Sequence, residues 1–437
     1  LLALLVAAPA AATEPPTDAA ARQLLAHGEN PYLVHLVRPP VAPLSAMAQL
    51  GRRIFLDASL SASGRMSCAS CHDPAHHYGP PNALPAMLGG PKLDLQGFRP
   101  VPSLTYLERH LPFSVGPDKD EDENSSVPLQ VSLAVGAKHK PKTAQNTADS
   151  AANLVPQGGL FWDGRADTLQ DQAIGPLLNP VEMANPNAAA VAAKLRTRPY
   201  APLFTELFGP AILDQPGQLV SEAMFAVARY QIEDTSFHPY TSKFDAWLEG
   251  KARFTPEEMR GYVLFNDPDK ANCGGCHLDK ATSDSIPPAF TDEQFEALGA
   301  PRNPNLLANR DPAYFDVGIC GPYRTDMAKD TQFCGMFITP TLRNVAARAV
   351  FFHNGVFTSL QQVMDFYAFR DVQPQRVYPG GSKYDDIPPA YQANVDITDP
   401  PFDRTLGDPP AITPQDEADI IAFLNTLTDG YTPKLGD

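Results

Sequence analysis

Cys68-Ala-Ser-Cys71-His72 and Cys273-Gly-Gly-Cys276-His277 are two copies of one five-residue pattern. Cys-x-x-Cys-His is the attachment signature of c-type haem. Its spacing follows from the chemistry: two thiols add across the two haem vinyl groups, and the adjacent histidine reaches the iron as proximal ligand. One copy would read equally as a redox disulfide or half a zinc site. Two copies, with no further Cys-x-x-Cys to complete a zinc cage, point to two covalently bound c-type haems.

The flanks of the two motifs repeat as well. Ala46-Met-Ala-Gln-Leu-Gly-Arg-Arg-Ile-Phe55 predicts a helix ending thirteen residues before Cys68, and Thr255-Pro-Glu-Glu-Met-Arg-Gly-Tyr-Val-Leu-Phe265 one ending eight before Cys273. The second has a defined start, with Thr255 as N-cap, Pro256 at the first helical position and Glu258 completing a capping box. Closing helices are expected over 219–232, with Leu219, Ala223, Ala226, Val227 and Tyr230 on one face, and from Thr413-Pro414 to Leu427, before Gly430. Helix, loop, motif and packing helix is the plan of a small cytochrome c, and it occurs twice. The expected fold is mainly α, with an N-terminal haem domain over 45–240, a C-terminal one over 241–437, and a joint at 235–254. Trp247, in that joint, is expected to be a packing residue.

Composition agrees with this plan. Proline makes up 46 of 437 residues, about twice the usual share of roughly 5%. Hydrophobic residues are 43%, which excludes disorder by low hydrophobicity, and such proline density would interrupt a regular α/β barrel. Long loops wrapped around a rigid cofactor are expected, with extra loop at 78–135, 278–319 and 371–412. Thirty-four basic against fifty acidic residues give a net charge of −16, which argues against nucleic acid and leaves room for a cationic protein partner. The acidic run 118–124 reads as a solvated loop. The opening Leu-Leu-Ala-Leu-Leu-Val-Ala-Ala-Pro-Ala-Ala-Ala predicts a signal-peptide remnant over 1–12, hence a periplasmic protein. No other stretch approaches roughly 18 uninterrupted apolar residues, so no membrane span is expected. In an oxidising compartment the two remaining cysteines, Cys320 and Cys334, are expected to form a loop-bracing disulfide.

Two further segments carry a resemblance. One is Phe161-Trp162-Asp163-Gly164-Arg165-Ala166, followed by Gln172, Pro176 and Val181-Glu182-Met183. The other is Thr339-Pro-Thr-Leu-Arg-Asn344, then Phe352-His353-Asn354-Gly355 and a helix ending at Phe366-Tyr367. With the two haem motifs they resemble, in order and over about residues 45–430, the bacterial dihaem cytochrome c peroxidase and MauG family. The resemblance implies Glu182 as the distal acid–base at the first haem, Trp162 as the relay between haems, and Gln172 and Pro176 as pocket residues. His72 and His277 would be the proximal iron ligands. Fourteen residues after His353 the cytochrome c peroxidases carry a methionine ligand to the second haem; Tyr367 stands there, as in MauG-type enzymes. Met364 competes with it. A phenolate favours oxidised iron, whereas methionine raises the potential.

His139 lies near the loop histidine that caps the resting first haem in the peroxidases, but flanking lysines read as an exposed loop. His76, His77 and His110 read as loop residues. The family also holds a calcium ion, for which Asn146 is the candidate side chain. Arg348 and Val350 replace the usual threonine and proline at its carbonyl positions, and a guanidinium could take the cation's place, so calcium is in doubt. The implied activity is reduction of hydrogen peroxide with electrons from a small redox protein, a cytochrome c or cupredoxin. The rival reading is MauG-like oxidation of a protein substrate, for which Tyr367 is the argument. A plain electron-transfer cytochrome, with Glu182 idle, is the third.

Overall fold

The computed structural model describes residues 17–117 and 154–433. Residues 1–12, expected from sequence to be a signal remnant, the acidic run 118–124, His139 and Asn146 lie outside the described residues. Helices and irregular segments dominate. The described strands form three two-stranded antiparallel pairs, Leu88–Gly89 with Leu95–Gln96, Ser114–Pro117 with Leu154–Gln157, and Phe295–Glu296 with Phe337–Ile338.

Each haem motif is accompanied by one pair of crossing helices. Ala46–Phe55 packs on Pro216–Glu233, burying Leu50, Ile54 and Phe55 against Leu219, Ala223, Val227 and Tyr230. Pro256–Phe265 packs on Pro414–Asn425, burying Tyr262 and Phe265 against Ile420, Phe423 and Leu424. The Thr255 cap, Pro256 and the Glu258 capping box are all present. Both pairs touch backbone to backbone at a glycine. A Cβ on Gly51 would lie 1.8 Å from the Ala226 carbonyl oxygen, and one on Gly261 would lie 1.9 Å from that of Asp419. Mid-helix glycine is unfavourable by about 0.5–1 kcal/mol against alanine, so these positions exist for the close approach. Gly51→Ala and Gly261→Ala should each destabilise the fold by ~1–3 kcal/mol through forced separation of the pair. Thermal unfolding checks this, and an unchanged Tm in both would contradict the packing.

Residues 17–38, assigned to neither unit from sequence, pack on the second. Ala21, Leu25 and Leu36 enter its core. The Gly28 carbonyl accepts hydrogen bonds of 2.9 Å from the Phe254 N–H and from Trp247 Nε1. Trp247 is fully buried and stacks on Phe254 with centroids 4.5 Å apart, the packing role expected of it. Cys320 and Cys334 are joined by a disulfide with Cα atoms 5.1 Å apart, beside a small core of Phe295, Ile319 and Phe333.

A buried ionic cluster ties the units together. Arg99, from the long loop of the first, donates to Asp316 of the second through Nε at 2.6 Å and Nη2 at 2.8 Å, and to Asp163 through Nη1 at 2.8 Å. Asp163 also takes Arg165. Among the described residues no helix is long and apolar enough to cross a membrane.

Candidate active site

The two Cys-x-x-Cys-His motifs have the same backbone geometry. Cys68–Cys71 and Cys273–Cys276 each form one helical turn, closed by a histidine at φ −102°, ψ 75° for His72 and φ −100°, ψ 76° for His277. Each histidine N–H returns to the first cysteine carbonyl, at 2.9 and 2.8 Å. The rings are oriented alike. His72 Nδ1 lies 3.2 Å from the Tyr78 carbonyl and His277 Nδ1 lies 3.0 Å from that of Phe290. An Nδ1–H donated to a carbonyl fixes the tautomer and leaves the Nε2 lone pair for a metal. Burial lowers both histidines to about 4, which keeps them neutral, the form that ligates. None of these four cysteines is in a disulfide.

The second motif opens into a cavity of about 540 Å3. Cys273, Cys276 and His277 line it, with Met364 and Tyr367 from the Leu360–Phe369 helix, and it extends to Gln172 and Trp162. A predominantly apolar chamber with two thiols, a neutral imidazole and a phenol fits a covalently attached haem. Tyr367 stacks on Phe402 at 5.3 Å. Burial, and then the neighbouring Cys273 and Cys276 thiols, push its hydroxyl well above the usual range. Tyr367 therefore stands beside the attachment point, and Met364 is buried one turn earlier on the same helix. Without a metal the phenol stays protonated; an iron(III) partner would be needed to hold it as phenolate.

Trp162 stands at the seam. It is 9% exposed, donates Nε1 to the Pro100 carbonyl at 2.9 Å, and accepts the Ile338 N–H on its own carbonyl at 3.1 Å. One bond reaches the loop of the first unit and the other a strand of the second. Gln172, on the Leu169–Leu178 helix, is buried and lines the same cavity. Pro176 sits inside that helix; lacking an N–H, it cannot bond the Gln172 carbonyl one turn back.

Glu182 lies outside the cavity lining, on the side of the first motif, where its carboxylate helps burial raise the Cys71 thiol to about 12. The side chain is held at Oε1 by Asn179 Nδ2 at 2.6 Å. Burial raises the Glu182 carboxyl above the ordinary carboxylate range, opposed by the charge of Arg165 and by the Asn179 hydrogen bond. The Leu88–Gln96 hairpin clamps its backbone. Gly90 N–H donates to the Glu182 carbonyl at 2.7 Å, and a Cβ on Gly89 would lie 2.2 Å from the Val181 oxygen and 2.8 Å from Glu182 Cα. Gly89→Ala should displace Glu182 and slow the reaction with peroxide about 10²-fold, the scale of a 1 Å misplacement. Stopped-flow rates at unchanged haem content check this, and wild-type rates would contradict it.

The clamp, Asn179 and the Arg99–Asp163–Asp316 cluster were not visible in sequence, because their partners are 64 to 217 residues apart or mark no motif. His76 and His77 line the cavity. His110 bonds the Leu107 and Asp167 carbonyls.

Residues 45–253 match the family model described as di-haem cytochrome c peroxidase. The chain is 33% identical over 403 residues to the methylamine utilization protein MauG of Paracoccus denitrificans, covering 89% of this chain and 90% of that protein. It belongs to the dihaem cytochrome c peroxidase/MauG family. The cytochrome c551 peroxidase of Nitrosomonas europaea is 26% identical over 344 residues, 75% of this chain and 76% of that one. The crystal structure of the diheme peroxidase BthA from Burkholderia thailandensis superposes with a TM-score of 0.76 at 35% identity, over 92% of this chain and 94% of that one. As a member of this family the protein is an oxidoreductase, and membership implies two haems.

Proposed function

We propose that this is a periplasmic c-type peroxidase that reduces hydrogen peroxide at the haem of Cys68, Cys71 and His72, with electrons from a cytochrome c or cupredoxin. The observation that carries the reading is Glu182: a carboxyl with raised proton affinity, clamped at its backbone and held by Asn179, beside the first motif. When bound, the haem iron supplies the coordination site for peroxide and takes up its oxidising equivalents. Glu182 takes the proton from the inner peroxide oxygen and returns it to the outer one, so the outer oxygen leaves as water and not as hydroxide. Asn179 holds Oε1, which leaves Oε2 for the proton. His72 and His277 would hold the iron atoms through Nε2, their Nδ1 atoms being engaged by the Tyr78 and Phe290 carbonyls. Trp162, bonded to both units, is positioned to carry charge between the two sites. Tyr367 would supply a phenolate oxygen to the second haem. The four thiols would hold the haems covalently.

A second reading is favoured by Tyr367 and by the MauG relative: the same site would store oxidising equivalents and remove electrons from a partner protein. A phenolate at the second haem makes that iron a poor entry port for electrons from a high-potential donor. Steady-state assay with peroxide and a reduced cytochrome c or cupredoxin separates the two. Donor-dependent turnover supports the peroxidase. Peroxide consumed without donor oxidation, with new oxidation products on a co-incubated protein, supports the rival. Calcium stays doubtful in both readings, because Arg348 and Val350 stand where the family usually has threonine and proline.

A further inference from the structure

Arg348 lines the cavity onto which the second motif opens, and among the described residues no carboxylate pairs with its guanidinium. Among the described residues its recorded hydrogen bond is Nη2 to the Val101 carbonyl at 3.0 Å, and burial without any opposing carboxylate lowers its pKa to about 10. The arginines whose side chains are most withdrawn from water are answered: Arg99 by Asp163 and Asp316, Arg343 by Asp245, and Arg370 by Asp371. Arg348 Nη1 comes within 3.4 Å of where a Gly79 Cβ would stand, and its charge reaches the His72 ring. It also lines the chamber that holds Cys273, Cys276 and His277. A cation withdrawn from water favours an anion beside it, and the cavity that Arg348 lines fits a haem, which brings two carboxylates of its own.

We propose that Arg348 is a carboxylate-binding residue whose partner is a propionate of a haem seated at the seam. The inference rests on the two-haem reading above. Guanidinium suits a carboxylate because its planar fork matches two oxygens at once. The pair fixes the rotation of the haem about the axis of its histidine, and it keeps the propionate ionised. It also raises the potential of that haem, because a nearby cation opposes the loss of an electron from iron.

The test is spectroelectrochemical titration of both haems in the full haem-loaded chain, for wild type, Arg348→Met and Arg348→Lys, from mildly acidic to mildly alkaline pH. Haem content is measured beside it by pyridine haemochrome. In Arg348→Met one haem should shift to lower potential and acquire a pH dependence that wild type lacks, as its unpaired propionate binds a proton on reduction. Arg348→Lys should move the same haem in the same direction by less. The spectrum that shifts identifies which haem supplies the propionate. Potentials and pH slopes equal to wild type in both variants would overturn the proposal; should Arg348→Met fail to fold, Arg348→Lys decides alone, an unchanged potential being the adverse result. Neutralising the acidic run, Asp118, Asp120, Glu121, Asp122 and Glu123, to amides distinguishes a protein partner. If that reproduces the Arg348→Met shift, the anion is a side chain and the proposal fails. A wild-type chain without two haems would defeat the functional reading itself, which the haemochrome assay detects separately.

Discussion

Glu182→Gln should slow the reaction with hydrogen peroxide by about 10²- to 10⁴-fold, the usual contribution of a positioned acid–base group. The amide keeps the shape of the side chain and the Asn179 contact but cannot take up or return the peroxide proton. Both haems should remain attached with unchanged spectra, since Glu182 ligates neither. Stopped-flow mixing with peroxide measures this, and a rate within a few-fold of wild type would remove Glu182 from the chemistry. The acid–base cycle begins from the ionised carboxylate, and burial holds its proton affinity above that of an ordinary glutamate. As pH falls the group is protonated earlier than an exposed carboxyl would be. The wild-type rate should therefore decline on its acid limb at a pH above the ordinary carboxylate range, and Glu182→Gln should lose that limb.

Tyr367→Phe should change the spectrum of the second haem and move its midpoint potential upward on the order of hundreds of millivolts. The axial ligand is the strongest protein lever on haem potential, spanning about 0.8 V across ligand types. An anionic oxygen stabilises ferric iron, and the phenyl ring supplies no donor in its place. Tyr367→Met should shift the potential in the same direction with a six-coordinate, methionine-type spectrum. Met364 is the competitor on the same helix, so Met364→Leu is the matched control and should leave the spectrum alone. If Tyr367→Phe leaves the second haem unaltered while Met364→Leu changes it, the ligand is Met364. The peroxidase reading then gains over MauG-like charge storage, because a methionine-ligated haem accepts electrons readily.

The helical frame was legible because it is local. Ala46–Phe55 and Pro256–Phe265 have the predicted bounds, since capping residues, apolar spacing and the fixed distance to a Cys-x-x-Cys-His motif are all written within a few residues. The Cys68–Cys71 and Cys273–Cys276 turns were marked by their motifs for the same reason. The packing of residues 17–38 on the second unit was not, because Trp247 and Gly28 meet across 219 residues and neither has a motif. The stretch after residue 78 reads in sequence as surplus loop. In the structure it supplies Arg99 and Pro100 to the seam and a glycine hairpin to Glu182. Each of those contacts is backbone or single-residue chemistry between distant segments, which periodicity and composition do not register. Glu182 is singled out in the sequence only by its place after Trp162 within a family pattern; an isolated glutamate carries no signal. Its raised proton affinity appears only once the chain has closed around it.

The account stands or falls on a first haem that reacts with peroxide and communicates with a second. Electron paramagnetic resonance of the ferric protein, and of the same sample after one-electron reduction, before and after stoichiometric peroxide, tests this most directly. Two distinct ferric signals are predicted, assignable to two haems, with peroxide changing both in at least one of the two redox states. Reaction from the fully ferric state would mark MauG-like charge sharing, and reaction only after reduction would mark a reductively gated peroxidase. Two ferric signals unmoved by peroxide in either state would contradict the account.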